Sequence, residues 1–181
     1  MALRTGNLLM NIFKRSKQWK DLQGEDLLHL KKEMQDIMDD VVHVCERYEL
    51  RYFLAYGSAL GAIRHNGYNP WDDDIDLCMP RLDNNRFLEI ASKELTEKYY
   101  ILSVSKGDDV AVPTCHIHKK GTHYVNFSDM VTLRNQPEDV KGVYIDIFPL
   151  ENAYNNKWIR MLDGYVNLGL QFIISNIVPK R

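Results

Sequence analysis

The sequence predicts an α/β fold, in the broad sense that includes α+β, with helices that flank a mixed sheet. Apolar residues recur at helical spacing near the start of the chain, and short strand-like runs follow, divided by a second helical stretch. No internal repeat or low-complexity linker interrupts this alternation. With 181 residues the chain is long enough for one domain with a single core, alone or with a helical appendage.

The first predicted helix covers residues 25–48, and its apolar stripe is expected to pack on the sheet. The stripe consists of Met34, Ile37, Met38, Val41, Val44, Cys45 and Tyr48. Further helices are predicted over residues 59–65, 82–98 and 164–178, the last as a core-packing helix that is too short and too polar to span a bilayer. Strands are predicted over residues 51–56, 74–77, 99–104, 112–118, 122–127 and 142–150, and a polar loop over residues 128–141.

An acidic strand is the most informative feature of the chain. Side chains of a strand alternate between its faces, so Asp74 and Asp76 are expected on one face and Ile75 and Leu77 on the other. Two neighbouring carboxylates repel unless a cation lies between them, and oxygen ligands suit Mg²⁺ or Mn²⁺. This segment therefore predicts half of a metal site rather than a solvated acidic loop.

The two acids just before this strand are open to two interpretations. Asp72 and Asp73 follow Pro70 and Trp71, a combination that indicates a turn. They are either outer ligands of the metal site or turn formers.

A third acid is needed if the metal is also to bind substrate phosphates. Asp146 is the best candidate because Ile145 and Ile147 flank it, and a buried carboxylate without a partner is disfavoured. The alternative is a core acid that a hydrogen bond or a basic side chain satisfies.

A phosphate-binding turn is predicted upstream of the acids. Gly57 and Ser58 are expected to form a tight turn, with Ser58 as the N-cap of the following helix. Backbone N–H groups at a helix start favour an anion. Arg64 follows within two helical turns and is either a phosphate clamp or a member of a surface ion pair.

The segments GSALGAIRHNGYNPWDDDIDLCMPR and GVYIDIFPL resemble the LicD family, which includes bacterial phosphocholine transferases and is related to the fukutin proteins. This family is similar to the wider nucleotidyltransferase superfamily, so the resemblance implies a nucleotidyltransferase-like sheet over residues 25–150. It also implies transfer of phosphocholine from a CDP-choline-like donor onto a sugar of a surface glycan, such as lipopolysaccharide or teichoic acid. Family members commonly continue further, so residues 151–181 are expected to be a helical segment that lacks its usual partner.

Matching positions imply roles for single residues. Asp74, Asp76 and Asp146 match the metal ligands and catalytic acids, and Gly57 with Ser58 matches the phosphate turn. In the family the later strand usually carries basic side chains near the donor's phosphates, and the resemblance implies this role here for His116, His118 and Lys119. The alternative is that these residues form a half-exposed strand edge.

Zinc is an alternative for the histidines of this strand, because Cys115 lies beside them. Strand alternation argues against it, since His116 and His118 share one face and Cys115 points to the other.

The expected reaction is phosphoryl-group transfer, in which Asp146 completes a second metal site or deprotonates the attacking hydroxyl. Two alternatives remain. The chain could instead move a nucleotide onto a protein or a small molecule, or it could be a non-catalytic, truncated binding module.

Composition limits partners and location. A net charge of −2 without a Lys/Arg block argues against nucleic acid as a partner. Three scattered cysteines, Cys45, Cys78 and Cys115, fit a reducing compartment, so a cytoplasmic location is expected.

Residues 1–24 are basic and amphipathic without a signal-peptide core, and we expect a capping helix or a tail. The alternative is peripheral contact with the inner face of the membrane.

Overall fold

The computed structural model describes residues 23–104, 107–108, 114–124, 137 and 140–177, and for residues 171–177 it describes the backbone only. The predicted basic segment at residues 1–24 therefore lies almost wholly outside the described residues. The chain divides into two compact units at Leu150 and Glu151.

The described part of the chain contains helices and strands in alternation. The helices are α1 (Gly24–Arg47), α2 (Tyr56–His65), α3 (Arg81–Glu94) and α4 (Lys157–Ile177). The strands are β1 (Phe53–Leu54), β2 (Asp76–Pro80), β3 (Tyr99–Ser103), β4 (Cys115–Lys119) and β5 (Tyr144–Leu150).

One five-stranded sheet organises the first unit, with the strand order β1-β2-β5-β4-β3. β2 and β5 are parallel, whereas the other neighbours are antiparallel. A mixed sheet flanked by helices was the fold predicted from the sequence, and the structure confirms it.

Helix α1 forms where the sequence predicts a helix, and its apolar stripe is buried. Glu25 and Asp26 lie in its first turn and Arg47 in its last, which complements the helix dipole. Its buried residues are Leu30, Met34, Ile37, Val41, Val44 and Cys45. This stripe packs against β4 and β5 and covers one face of the sheet.

The two faces of the sheet differ in chemistry. The face toward α1 is apolar and includes Leu77, Met79, Ile117, Ile145 and Ile147, all of which are fully buried. The opposite face carries polar side chains, because the strand register aligns Asp76 with Asp146, and Asp146 with His116. We call this second face the reactive face. Its acids lie on adjacent strands although they are far apart in sequence.

Several predicted boundaries were wrong. The run 51–56 has only two strand residues, β1, before α2 begins. Helix α3 ends at Glu94 rather than at residue 98, because residues 95–98 form a turn. Residues 122–124 of the predicted strand 122–127 are not in a strand, and the rest of that segment lies outside the described residues. β2 begins at Asp76, so Asp74 precedes it.

Helix α4 begins earlier than the predicted start at residue 164. Asn156 Oδ1 accepts a hydrogen bond from Trp158 N at 2.9 Å, which satisfies a free donor at the helix start. Within the second unit, large apolar side chains described for α4 are exposed: Trp158, Ile159, Met161, Leu162, Tyr165, Val166, Leu168 and Leu170. None of the helices in the described ranges is both long and apolar enough to cross a membrane.

Candidate active site

Three carboxylates lie near one another on the reactive face. Asp76 and Asp146 are register partners on parallel strands, so their backbones are about 4.8 Å apart. Asp146 N donates to Ile75 O at 2.9 Å, which ties the segment that carries Asp74 to the same strand pair. Asp74, Asp76 and Asp146 were predicted from sequence as one cluster, and the structure brings them together.

The negative charges of these acids repel one another. Burial, followed by Asp74 and Asp146, raises the pKa of Asp76 to about 7. The pKa of Asp74 is also raised, first by burial of its carboxyl group and then by Asp72, Asp73 and Asp146, although much of this residue is exposed. The cluster therefore favours a proton or a cation at neutral pH.

The carboxylates on this face were predicted to hold Mg²⁺ or Mn²⁺. Within the described ranges, no three His, Cys, Asp or Glu side chains converge on one point closely enough to form a protein-only metal site. The carboxylates nevertheless suit a hard cation, which commonly keeps several waters and binds through one or two carboxylates with substrate phosphates. Asp146 Oδ1 is buried and accepts no hydrogen bond from the described residues, although it contacts the ring of His116.

His116 contacts the third acid. Its Nδ1 lies 2.9 Å from Asp146 Oδ1, although the two atoms are not aligned for a hydrogen bond. Its Nε2 lies 2.8 Å from Thr114 Oγ1. The buried ring therefore lies between an acid and a hydroxyl on the reactive face.

His118 lies beside His116 but is neutral. Burial, and then the neighbouring His116, lowers the pKa of His118 to about 3. Its Nδ1 donates to Gly142 O at 3.2 Å, which leaves Nε2 as an unprotonated acceptor. His118 is thus not the basic group that the resemblance implies near the donor's phosphates.

Lys119 lies on the opposite face of the sheet from the acids. Its Nζ forms ion pairs with Glu33 at 2.7 Å and with Asp36 at 2.8 Å, both on α1. Strand alternation is the reason, because Lys119 shares the α1 side of β4 with Cys115 and Ile117. The structure therefore does not bring Lys119 to the predicted phosphate site.

The Gly57–Ser58 segment differs in form from the predicted turn. Helix α2 begins at Tyr56 with Ala55 as its N-cap, so both residues lie in the first helical turn and Ser58 is not the cap. Ser58 Oγ accepts a hydrogen bond from Asp76 N at 2.9 Å. This hydrogen bond links Ser58 to the strand of Asp76. A serine hydroxyl also has one proton, so Ser58 can still donate a hydrogen bond to a substrate oxygen.

The first turn of α2 lies close to the acidic segment at Gly57. A Cβ atom there would lie 2.8 Å from Asp72 Oδ2, so a larger residue would require the Asp72 carboxylate to move.

Asn69 is a structural residue of the site that sequence reasoning missed. Its buried Nδ2 donates to Gly57 O at 3.1 Å and to Asp72 Oδ2 at 2.5 Å. Lys31 Nζ on α1 donates to Asn69 O at 2.9 Å. These contacts tie the acidic segment to α1 and α2. The Asn-Pro turn signal marks the position, but no sequence pattern indicates the partners.

Arg64 lies in the last turn of α2 and is exposed. Across the described part of the chain it has no ion pair, so the ion-pair alternative is not seen there, and the phosphate-clamp role stays a prediction.

Known proteins match the same region of the chain. The family described as "LicD/FKTN/FKRP, nucleotidyltransferase domain" matches residues 49–165, which is more than half of the chain. A protein of Haemophilus influenzae named lipopolysaccharide cholinephosphotransferase LicD is 34% identical over 118 residues, which cover 60% of this chain and 44% of that protein. An uncharacterized protein of Rickettsia prowazekii is 24% identical over 106 residues, or 56% of this chain and 39% of that protein.

The matched region thus spans less than half the length of either relative. It contains α2, the acidic strand and all of β5, which together carry every acid of the candidate site. On this coverage, the chain belongs to the LicD/FKTN/FKRP nucleotidyltransferase domain family.

Proposed function

We propose that this chain is a transferase domain that moves phosphocholine, or a similar phospho-alcohol, from a CDP-linked donor onto a sugar of a surface glycan. The proposal is carried by the grouping of three residues. Asp76 and Asp146 are register partners on parallel strands, and the backbone N–H of Asp76 donates to Ser58 Oγ of α2. The similarity to a relative named as a lipopolysaccharide cholinephosphotransferase supports the choice of donor and acceptor.

Asp74, Asp76 and Asp146 would hold Mg²⁺ or Mn²⁺, which would neutralise the negative charge of the donor pyrophosphate. The backbone N–H groups of Gly57 and Ser58, together with the Ser58 hydroxyl, would bind a phosphate at the start of α2. Both sets of groups belong to adjoining elements, so a pyrophosphate can reach them at once.

In the proposed reaction, an acceptor hydroxyl attacks the phosphorus of phosphocholine. A new O–P bond forms as the bond to the CMP oxygen breaks, and CMP leaves with the electron pair. Asp146 would accept the proton of the hydroxyl if it is not itself a metal ligand. Positioning and charge neutralisation supply most of the catalysis in such transfers.

Isothermal titration with CDP-choline, with and without Mg²⁺, tests the donor site. We expect metal-dependent binding that is lost in Asp76→Asn, a variant of nearly equal size that removes the charge. Circular dichroism would show whether the variant remains folded. Metal-independent binding, or full transfer activity in Asp76→Asn, would contradict the proposed site.

Nucleotide transfer onto a protein or a small molecule is the second candidate, because the family is described as a nucleotidyltransferase domain. CDP-choline labelled in choline or in cytidine distinguishes the two reactions. Label from choline in the product supports phosphocholine transfer, and label from cytidine supports nucleotide transfer. Donor binding without transfer to any glycan tested would favour a binding module.

We place the reaction in the cytoplasm, with peripheral contact at the inner face of the membrane as part of the same proposal. A CDP-linked donor is a cytoplasmic metabolite class, and three cysteines that are buried and free fit a reducing compartment. Fractionation of cells that express a tagged chain tests this location.

A further inference from the structure

Tyr56 begins α2 in an unusual backbone conformation. Its φ is +43°, in the left-handed region, which a bulky side chain seldom adopts. The residue is 68% exposed, so burial of the ring in a core does not explain this conformation. Strained residues tend to persist at binding and active sites, where the surroundings hold them in place.

The Tyr56 ring contacts the ring of Phe148. Its centroid lies 5.2 Å from that of Phe148, and the two rings meet edge to face at 78°. This is the favourable geometry for two aromatic rings. This contact orients the ring. Because most of Tyr56 is exposed, much of the ring stays accessible. We call Tyr56 and Phe148 the aromatic pair.

The aromatic pair lies beside the proposed phosphate and metal site. Phe148 is two positions after Asp146 on β5, so the two side chains share the reactive face at about 7 Å along the strand. Tyr56 directly precedes Gly57 and Ser58. An aromatic surface therefore adjoins both the third acid and the start of α2.

We propose that the aromatic pair binds the quaternary ammonium group of the donor's choline through cation–π contact, and so determines the choice of phospho-alcohol. This inference rests on the proposed function. In CDP-choline an ethylene group links the phosphate to the trimethylammonium, so a phosphate bound at Ser58 keeps the cation close to Tyr56. A trimethylammonium has no N–H to donate, and the face of an aromatic ring is the group that attracts it.

The test compares two nucleotides by isothermal titration in the presence of Mg²⁺. One is CDP-choline, and the other is CDP-3,3-dimethylbutanol, in which a tert-butyl group of the same shape replaces the charged trimethylammonium. We expect the full chain to bind CDP-choline more tightly. In Tyr56→Leu the dissociation constant for CDP-3,3-dimethylbutanol divided by that for CDP-choline should fall by roughly fivefold. This is the loss expected for one cation–π contact.

Three matched variants support the measurement. Tyr56→Phe keeps the ring and should keep the discrimination. Tyr154→Leu removes an exposed tyrosine of the second unit and should also leave it unchanged. Tyr56→Gly removes the ring and tolerates the positive φ, so it gives the result if Tyr56→Leu fails to fold.

Each outcome decides the inference. Discrimination that persists in Tyr56→Leu or Tyr56→Gly would overturn the role of the aromatic pair and leave the transferase proposal intact. Equal binding of the two nucleotides by the unaltered chain would also overturn the role of the aromatic pair and leave the transferase proposal intact. If the unaltered chain fails to bind CDP-choline with Mg²⁺, the proposed function itself fails, and this inference fails with it.

Discussion

At the scale of single residues, the environment of Asp76 determines its chemistry. Ser58 bonds to its backbone N–H, not to its carboxylate, so this contact does not stabilise the charged form. Burial and the neighbouring acids raise its pKa to about 7. A carboxylate in this state gains from a cation, which is the physical basis of the proposed metal site.

The stability of the metal-free chain should fall as the pH rises from about 4 to about 7. The pKa of Asp76 is higher in the folded chain than its ordinary value of 3.8, so the folded state binds the extra proton in this range. The stabilisation is complete below the unfolded pKa and is lost as the pH rises through the folded pKa. Partial solvation reduces the effect to about 2 kcal/mol. Urea unfolding at several pH values measures it.

Asp76→Asn provides the control for this pH dependence, because the amide does not titrate. The slope of stability against pH should flatten in this variant. Added Mg²⁺ should also raise stability at pH 7 in the unaltered chain and not in the variant. An equal slope in both proteins would show that Asp76 is not the titrating group.

Lys119→Met should leave donor binding unchanged, because Lys119 pairs with Glu33 and Asp36 on the α1 side of the sheet. Stability should fall by about 1 kcal/mol, since each partly exposed ion pair contributes at most about that much. Titration with CDP-choline and urea unfolding measure the two effects. A tenfold loss of donor affinity in a folded variant would return Lys119 to the phosphate site that the sequence resemblance implies.

At the scale of elements, the site depends on how α2 packs against the acidic segment. Gly61 is buried, and a Cβ atom there would lie 2.5 Å from Gly67 O and 2.7 Å from Asn69 N. Asn69 in turn bonds to Gly57 at the start of the same helix. The helix therefore lies backbone to backbone against the chain that leads into the acids, and this contact fixes the distance between the start of α2 and the carboxylates.

Gly61→Ala should weaken both the fold and the site. The new methyl group meets backbone atoms that cannot rotate away, so a loss of about 1–3 kcal/mol in stability is expected. Affinity for CDP-choline with Mg²⁺ should fall as well, because α2 must shift from Asn69. Gly164→Ala in α4 is the matched control, since the space around its added Cβ is open apart from the helix's own backbone. Equal effects of the two substitutions would contradict the close packing of α2.

At the scale of the whole molecule, one face of the sheet forms the core and the other carries the candidate site. Apolar side chains between the sheet and α1 form the core and account for most of the stabilisation. The reactive face carries groups that repel one another and that weaken the metal-free fold. Binding residues can therefore change on one face while the other face keeps the chain folded.

Ile147→Ala should destabilise the chain by about 2–4 kcal/mol, because this side chain is fully buried in β5 and its loss leaves a cavity. Ile63→Ala is the control, since Ile63 on α2 is 83% exposed and its removal should change stability by less than about 0.5 kcal/mol. Urea unfolding of both variants measures the difference. A small effect at Ile147 would contradict a core on the α1 side of β5.

The sequence alone predicted the mixed sheet and helix α1, and the structure confirms both. Helix α1 was predictable because its apolar stripe recurs at helical spacing, which is a local pattern. The roles of Asp74, Asp76 and Asp146 as metal ligands stay a prediction. The strand around Asp146 was also predictable, since Ile145 and Ile147 flank it with the period of a buried strand.

Only the tertiary structure decided which groups face the acids. The register of β4 against β5 aligns His116 with Asp146, and the position of α1 pairs Lys119 with Glu33. Packing of Asn69 beneath α2, and the burial that raises the pKa of Asp76, likewise join residues that no local pattern connects. The physical reason is that strand pairing and helix packing bring together distant segments, whereas sequence periodicity reports only on neighbours along the chain.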